Sequence, residues 1–299
     1  MADIRRILCP VDFSDASQHA LDHAVMIAGW YRARITAFHV RHPALMPEPP
    51  MLFAELGADS FSVEDLENRL HHWLAPVRAA GIPCEVMVVD APNPAPRIVE
   101  AAPRLGIDLI VMGTHGRSGF ERLLLGSVTE RVVRRAECPV ITVPPPGITT
   151  SKLPFRRILC AIDFSEPSMA AMRYALSLSR ESNSTLTLLH AIEFPQESYS
   201  IETLPFDMSA YRAVVREDAT RRLMKLISDE MPDSPQPAIT VVHGKAHEQI
   251  IAAAGARHAD LIVLGVHGRN TLDLMLFGST TNQVIRHATC PVLTLRRTQ

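Results

Sequence analysis

The chain is one unit written twice, and that limits its fold more than any other feature. Arg5-Arg6-Ile7-Leu8-Cys9 recurs as Arg156-Arg157-Ile158-Leu159-Cys160, an offset of 151 (158 − 7). Asp12-Phe13-Ser14 recurs as Asp163-Phe164-Ser165 at the same offset, and Cys138-Pro139-Val140 as Cys290-Pro291-Val292 at 152 (290 − 138). The register slips by a single residue over half a chain of 299, so a whole domain is duplicated. The period is far too long for a solenoid repeat. Between the copies, Pro144-Pro145-Pro146-Gly147 favours a stiff, extended spacer, which places the domains at 1–147 and 148–299.

Each copy alternates short apolar runs with helical patterns. In the first, Ile7–Val11, Ile35–Val40, Glu85–Val89, Leu109–Met112 and Val140–Val143 read as strands. Helices are expected after Ser14, from Ser62 to Gly81 as one piece, around Ile98–Leu105 and from Ser127. The proline-rich stretch 41–61 reads as a loop, with room for a short helical piece. The second copy repeats the order, with helices near 166–181, 209–229, 246–257 and 279–288. Strands alternating with helices give an α/β fold with a parallel sheet covered on both faces. Ligands in such sheets bind beyond the carboxyl ends of strands, where strand order reverses.

Composition narrows the function. A net charge of −2 leaves no basic footprint for nucleic acid. No apolar run approaches the roughly 20 residues of a membrane span, and the N-terminus carries no signal-peptide pattern, so the chain reads as cytoplasmic. The cysteines that match between halves read as small buried hydrophobes, with the unmatched Cys84 a loose candidate for a reactive thiol. No histidine or cysteine spacing indicates a metal site.

The chemistry sits in Gly113-Thr114-His115-Gly116-Arg117, which runs on to Gly126-Ser127, and in its copy Gly265-Val266-His267-Gly268-Arg269, which runs on to Gly278-Ser279. Both lie between a strand end and a helix start. There, free N–H groups and the positive end of the helix dipole suit a phosphate. Glycine admits a close anion and a positive φ. Ser127 and Glu130 have capping-box spacing, so Ser127, and Ser279 with it, is expected to cap its helix and to offer a hydroxyl to phosphate. Val128, Thr129, Thr280 and Thr281 follow in the same cradle. Asp12 and Asp163, at the ends of the first strands, either accept ribose hydroxyls or cap the helices that follow. His115 and His267 suit contact with loop backbone or phosphate, and Arg117 and Arg269 suit phosphate or a solvated surface. No partner carboxylate supports acid–base catalysis, so no catalytic residue is assigned. The absence of a P-loop lysine argues against fast phosphoryl transfer.

These residues resemble the universal stress protein family over nearly the whole chain. The motif Gly-x2-Gly-x9-Gly-Ser, present at Gly113, Gly116, Gly126, Ser127 and at Gly265, Gly268, Gly278, Ser279, marks the ATP-binding branch of that family. The resemblance implies two Rossmann-like five-stranded domains of strand order 3-2-1-4-5. It also implies ATP, ADP or AMP in each, with Mg2+ as a companion ion. Val11, Val40 and Met112 would line the adenine in the first copy, and Ile162, Ala191 and Leu264 in the second. The family dimerises through its last strand. A tandem chain would pair Val140–Val143 with Val292–Leu295 as an internal pseudo-dimer, with homodimerisation of the whole chain a further option. The first copy departs from the family at Asp90-Ala91-Pro92-Asn93-Pro94, where a glycine is usual and the second copy has Gly244. The second has Asn270-Thr271 in place of Ser118-Gly119.

Three functions follow: a nucleotide-binding stress or signalling protein with unnamed partners, a slow ATPase of the same fold, and a scaffold or chaperone-like dimer that binds another ligand in one domain. Two sites of unequal affinity are expected, since the loops 41–61 and 192–208 differ.

Overall fold

A computed structural model describes residues 3–42, 61–116, 125–145, 155–194, 208–230, 236–266 and 278–296. The chain forms two compact α/β units. The expected boundary at 147/148 and most of the loops 41–61 and 192–208 lie outside the described residues.

The first unit contains β1 (Arg6–Pro10), α1 (Asp15–Tyr31), β2 (Arg34–Arg41), α2 (Val63–Trp73), α3 (Ala75–Ala79), β3 (Cys84–Asp90), α4 (Pro94–Arg104), β4 (Leu109–Gly113), α5 (Ser127–Arg135) and β5 (Val140–Val143). Its strands lie in the order β3-β2-β1-β4-β5, every pair parallel. The second unit contains β6 (Arg157–Ala161), α6 (Glu166–Glu181), β7 (Thr185–Ile192), α7 (Met208–Glu230), β8 (Ala238–His243), α8 (Ala246–Ala256), β9 (Leu261–Gly265), α9 (Ser279–His287) and β10 (Val292–Leu295). It repeats the arrangement as β8-β7-β6-β9-β10, again parallel. The expected order 3-2-1-4-5 therefore holds in each half. Strand order reverses between β1 and β4, and between β6 and β9.

Central strands covered on both faces need continuous apolar runs, and β4 has one: Leu109, Ile110 and Val111 have no exposed surface. Helix α1 lies against it through a face of Ala20, Ala24, Ile27 and Ala28. The start of β1 is tied to that of β4 by Asp108, whose Oδ2 accepts from the N–H groups of Arg5 and Arg6 at 2.8 and 2.9 Å. Asp260 does the same for Arg156 and Arg157, at 2.9 Å each.

Two local expectations need correction. The helix from Ser62 is not continuous to Gly81. Ser62 and Asp65 do form a capping box, but the helix stops at Leu74 and a separate turn follows. Pro76 lacks the N–H that a continuing helix would need. The second unit has no proline there, and α7 runs unbroken for 23 residues. The other correction concerns the described glycines of the two motif loops, none of which takes the positive φ that glycine admits. Among the described glycines only Gly81, Gly106 and Gly244 have positive φ.

The matched cysteines are buried or half-buried thiols. Burial pushes Cys9, Cys138 and Cys290 up to about 12, and Cys160 upward as well. A buried neutral imidazole shows at His23, which has no exposed surface and donates from Nδ1 to the carbonyl of His19 at 2.8 Å. Burial holds its pKa at about 4, against an ordinary 6.5. The unfolded chain binds that proton first, so the stabilisation is complete above pH 6.5 and is lost as pH falls towards 4. Its full size is about 3 kcal/mol. Urea unfolding between pH 4 and 7 is expected to show this slope, and His23→Met to flatten it; an equal slope in the variant would exclude His23 as its source.

Candidate functional site

The site is assembled at the carboxyl ends of β1 and β4, where strand order reverses. Ser14 N-caps α1, its Oγ accepting from Ser17 N. Asp12 does not cap the helix. Its Oδ1 accepts from Ser14 N–H at 3.0 Å and from the Ser14 hydroxyl at 2.5 Å. Its Oδ2 faces the glycine loop, and a Cβ added to Gly116 would stand 2.6 Å from it. Asp163 holds Ser165 in the same way, at 2.9 and 2.5 Å. The structure thus brings Asp12 and Gly116 together across the switch. Gly268, the second-copy partner, lies outside the described residues, as do His267, Arg269 and Arg117.

The glycines serve close approach rather than unusual dihedrals. A Cβ on Gly113 would meet the Ala16 carbonyl oxygen at 3.0 Å, and one on Gly265 would meet Pro167 C and Ser168 N at 2.7 Å. These two let a strand end pass against the first turn of α1 or α6. Gly126 and Gly278 would carry a Cβ 3.0 Å from Thr114 O and 3.1 Å from Val266 O.

Gly126 and Gly278, not Ser127 and Ser279, are the N-cap residues, and no side chain caps either helix. The expected capping by Ser127 with Glu130 is therefore corrected. Glycine at the cap leaves room beneath the Thr114 carbonyl, to which Gly126 N–H donates at 2.8 Å and which an added Cβ would crowd at 3.0 Å. Ser127 and Ser279 are the first helical residues and are exposed. The first intrahelical bonds run from Glu130 N to Gly126 O and from Asn282 N to Gly278 O. The N–H groups of Ser127, Val128 and Thr129, and of Ser279, Thr280 and Thr281, precede those bonds. The hydroxyl of Thr129 is committed elsewhere: it is buried and donates to Gly113 O at 2.8 Å, as Thr281 does to Gly265 O at 3.3 Å. These threonines fix the strand end against the helix start.

His115 bonds a side chain rather than loop backbone. Its Nδ1 lies 2.8 Å from the Thr114 hydroxyl, and its Nε2 is buried without a hydrogen-bond partner among the described residues. Burial lowers its pKa, which favours the neutral ring. Val11, Met112, Ile162 and Leu264 are buried at the strand ends, while Val40 and Ala191 are half-buried.

The halves differ beside this common frame. In the first, Arg41 grips Asp90 through two bonds of 2.6 Å, which holds that carboxyl below its usual range. The second has Ile192 and His243 at these register positions, with Phe194 stacked on His243 at 5.4 Å. The loop after β3 and β8 also differs. Gly244 has φ 126° and donates to Ile192 O, whereas Ala91 donates to Arg41 O without a positive φ.

One constellation escaped the sequence reading. Phe13 and Phe164 both have φ 63°, a genuine outlier for a bulky residue, costing on the order of 1–3 kcal/mol. Their rings pack on His39 and His190. Both pairs recur at the offset of 151, the signal that could have found them. Among the described residues no group of acidic, histidine or cysteine side chains converges to hold a metal ion. No described helix is long and apolar enough to cross a membrane.

Comparison with known proteins agrees with the duplicated frame. The model of the universal stress protein family matches residues 3–144 and again 154–296. The chain is 30% identical over 209 residues to a universal stress protein of Mycobacterium tuberculosis (strain ATCC 25618 / H37Rv), covering 69% of this chain and 66% of that one. It is 24% identical over 318 residues to universal stress protein E of Photorhabdus laumondii, covering 99% and 96%. The crystal structure of a universal stress protein from Archaeoglobus fulgidus shares the fold, with a TM-score of 0.67 at 24% identity and 98% of each chain covered. With its fold repeated and the family matched once in each half, the chain belongs to the universal stress protein family, as a tandem of two of its domains.

Proposed function

We propose that each half binds one adenine nucleotide, ATP or its products ADP and AMP, and that occupancy of the two sites tunes the stability or partner choice of a stress or signalling protein. The observation that carries this reading is the helix start left without a side-chain cap and led by a glycine, present in both halves, with Asp12 beside the glycine loop in the first. On this reading the N–H groups of Ser127, Val128 and Thr129 take phosphate oxygens, as do those of Ser279, Thr280 and Thr281. Asp12 and Asp163 accept ribose hydroxyls. Val11, Val40 and Met112 line one base, and Ile162, Ala191 and Leu264 the other. His115, with Nδ1 accepting from Thr114, offers Nε2–H as a neutral donor. Arg117, His267, Gly268 and Arg269 belong to the same proposal as phosphate-loop residues. The pairing of Val140–Val143 with Val292–Leu295, and a homodimer of the whole chain, are carried with it. Sedimentation distinguishes a monomer, paired internally, from a dimer of chains.

Mass spectrometry of ligand released from the purified, heat-denatured protein tests the reading, with adenine nucleotide as the expected result. Calorimetry is expected to show ATP preferred over GTP, because the strand residues proposed to line the base, Val11 and Val40, are apolar and their side chains offer no partner to the guanine amino group. Equal affinity for GTP would count decisively against it.

The unequal affinity of the two sites gains a further cause. Glu130 places a carboxylate in the first turn of α5, where the second half has Asn282. An acidic group there satisfies the helix dipole and repels an incoming phosphate. Glu130→Gln is expected to raise the affinity of the weaker site by about two- to fivefold at low salt, with the tighter site unchanged. Titration at two salt concentrations checks this, since the gain should shrink as salt rises.

A further inference from the structure

In each half, the residue after the site aspartate is a phenylalanine held in the left-handed region. Phenylalanine does not prefer that conformation, so its surroundings must impose it. Three contacts do so, and they repeat. The guanidinium of Arg69 lies 3.9 Å from the ring centroid of Phe13, and that of Arg222 lies 4.0 Å from Phe164. On the strand side, the ring of His39 is 5.0 Å from Phe13, and that of His190 is 4.8 Å from Phe164. Each imidazole donates from Nδ1, at 2.7 Å, to the carbonyl of the residue before the aspartate, Val11 or Ile162. One histidine thus bonds the residue before the aspartate and packs on the residue after it, and an arginine from the next helix closes the stack. The distances agree between halves whose second helices differ, one stopping at Trp73 and the other running to Glu230.

We propose that this arginine–phenylalanine–histidine stack is a positioning device. It holds the left-handed turn that aims Asp12 at Gly116, and the matching turn that carries Asp163, and so sets the selectivity of each site for ligands that carry ribose hydroxyls. The inference rests on the nucleotide reading above. Arg69 and Arg222 act through phenylalanine on aspartate and are positioning residues. Both are exposed, so replacing them leaves the buried core in place.

The test uses the full chain and two probes, ATP and 2′,3′-dideoxy-ATP, the second lacking the hydroxyls that the aspartates would accept. Wild type is expected to prefer ATP by roughly tenfold or more, the scale of hydrogen bonds to a charged group. In the variant carrying Arg69→Met and Arg222→Met, ATP affinity is expected to fall about two- to fivefold, the scale of an exposed cation–π contact, while dideoxy-ATP affinity stays constant. Lysine at both positions should restore most of the preference. An equal fall for both probes would reduce the stack to general packing and overturn the inference. So would unchanged affinities in the variant, or a wild type that binds ATP without preferring it. A wild type that binds neither probe would overturn the nucleotide reading and this inference together.

Discussion

Gly126→Val is expected to remove one nucleotide from each chain and leave the other, with Gly278→Val removing its counterpart. Backbone strain is not the cause, since Gly126 has φ −56° and ψ 135°, dihedrals open to any residue. The cause is space. A Cβ at Gly126 would stand 3.0 Å from Thr114 O and 3.7 Å from His115 Cα, and one at Gly278 would stand 3.1 Å from Val266 O. The branched methyls of valine would extend over the helix start, where phosphate must approach the N–H groups. Each charge-assisted bond lost there is worth about 1.5–3 kcal/mol, so losing two should weaken binding by at least about a hundredfold. Calorimetry should read two nucleotides per wild-type chain, one in either single variant and none in the double variant, with circular dichroism still that of a folded α/β protein. One nucleotide per wild-type chain, or loss of both from a single change in a folded protein, would exclude two independent sites.

The same glycines show how far the sequence could be read. Their spacing and repetition marked the strand ends and helix starts where the candidate site is proposed. The meeting of Asp12 with Gly116 followed once β1 and β4 were taken as neighbours, because the carboxyl ends of adjacent parallel strands lie side by side. Of the two reasons for glycine, close approach of an anion and a positive φ, the second does not hold at Gly113, Gly116 and Gly126. A positive φ is a local property that sequence suggests readily. The close passage of Gly113 to Ala16, or of Gly116 to Asp12, is a tertiary contact that no local pattern records. Ser127 was misread for a related cause. Serine followed three residues later by Glu130 is a cap signal, but the Thr114 carbonyl fixes the cap one residue earlier. The break at Leu74 was legible in Pro76 and was outweighed by the apolar spacing of Leu66, Leu70 and Val77. The Phe13 stack needed the fold, since Arg69 and His39 meet Phe13 only after α2 has packed beside β3.

Gly265→Ala is expected to destabilise the second half strongly, and Gly113→Ala the first half less. At Gly265 an added Cβ would lie 2.7 Å from both Pro167 C and Ser168 N, and 3.0 Å from Pro167 Cβ. The obstacle is backbone, in the first turn of α6, and that turn has little freedom to retreat. Ser165 caps it, the Ser168 hydroxyl donates to Ser165 O at 2.9 Å, and Pro167 has a fixed φ. At Gly113 the nearest atoms, all of Ala16, lie at 3.0–3.1 Å, so a shift of a few tenths of an ångström suffices. Overpacking of this kind costs roughly 1–3 kcal/mol and occasionally more. For a domain of this size that lowers Tm by about 2–4 °C per kcal/mol. The two tryptophans, Trp30 and Trp73, both belong to the first half, so their fluorescence follows that half while circular dichroism follows both. Gly265→Ala should lower the dichroism transition by several degrees, more than Gly113→Ala does, and Gly113→Ala should act on the fluorescence transition. If Gly265→Ala leaves the dichroism transition within a degree of wild type, the approach of β9 to α6 is looser than these distances require, and close packing does not explain a glycine at that position.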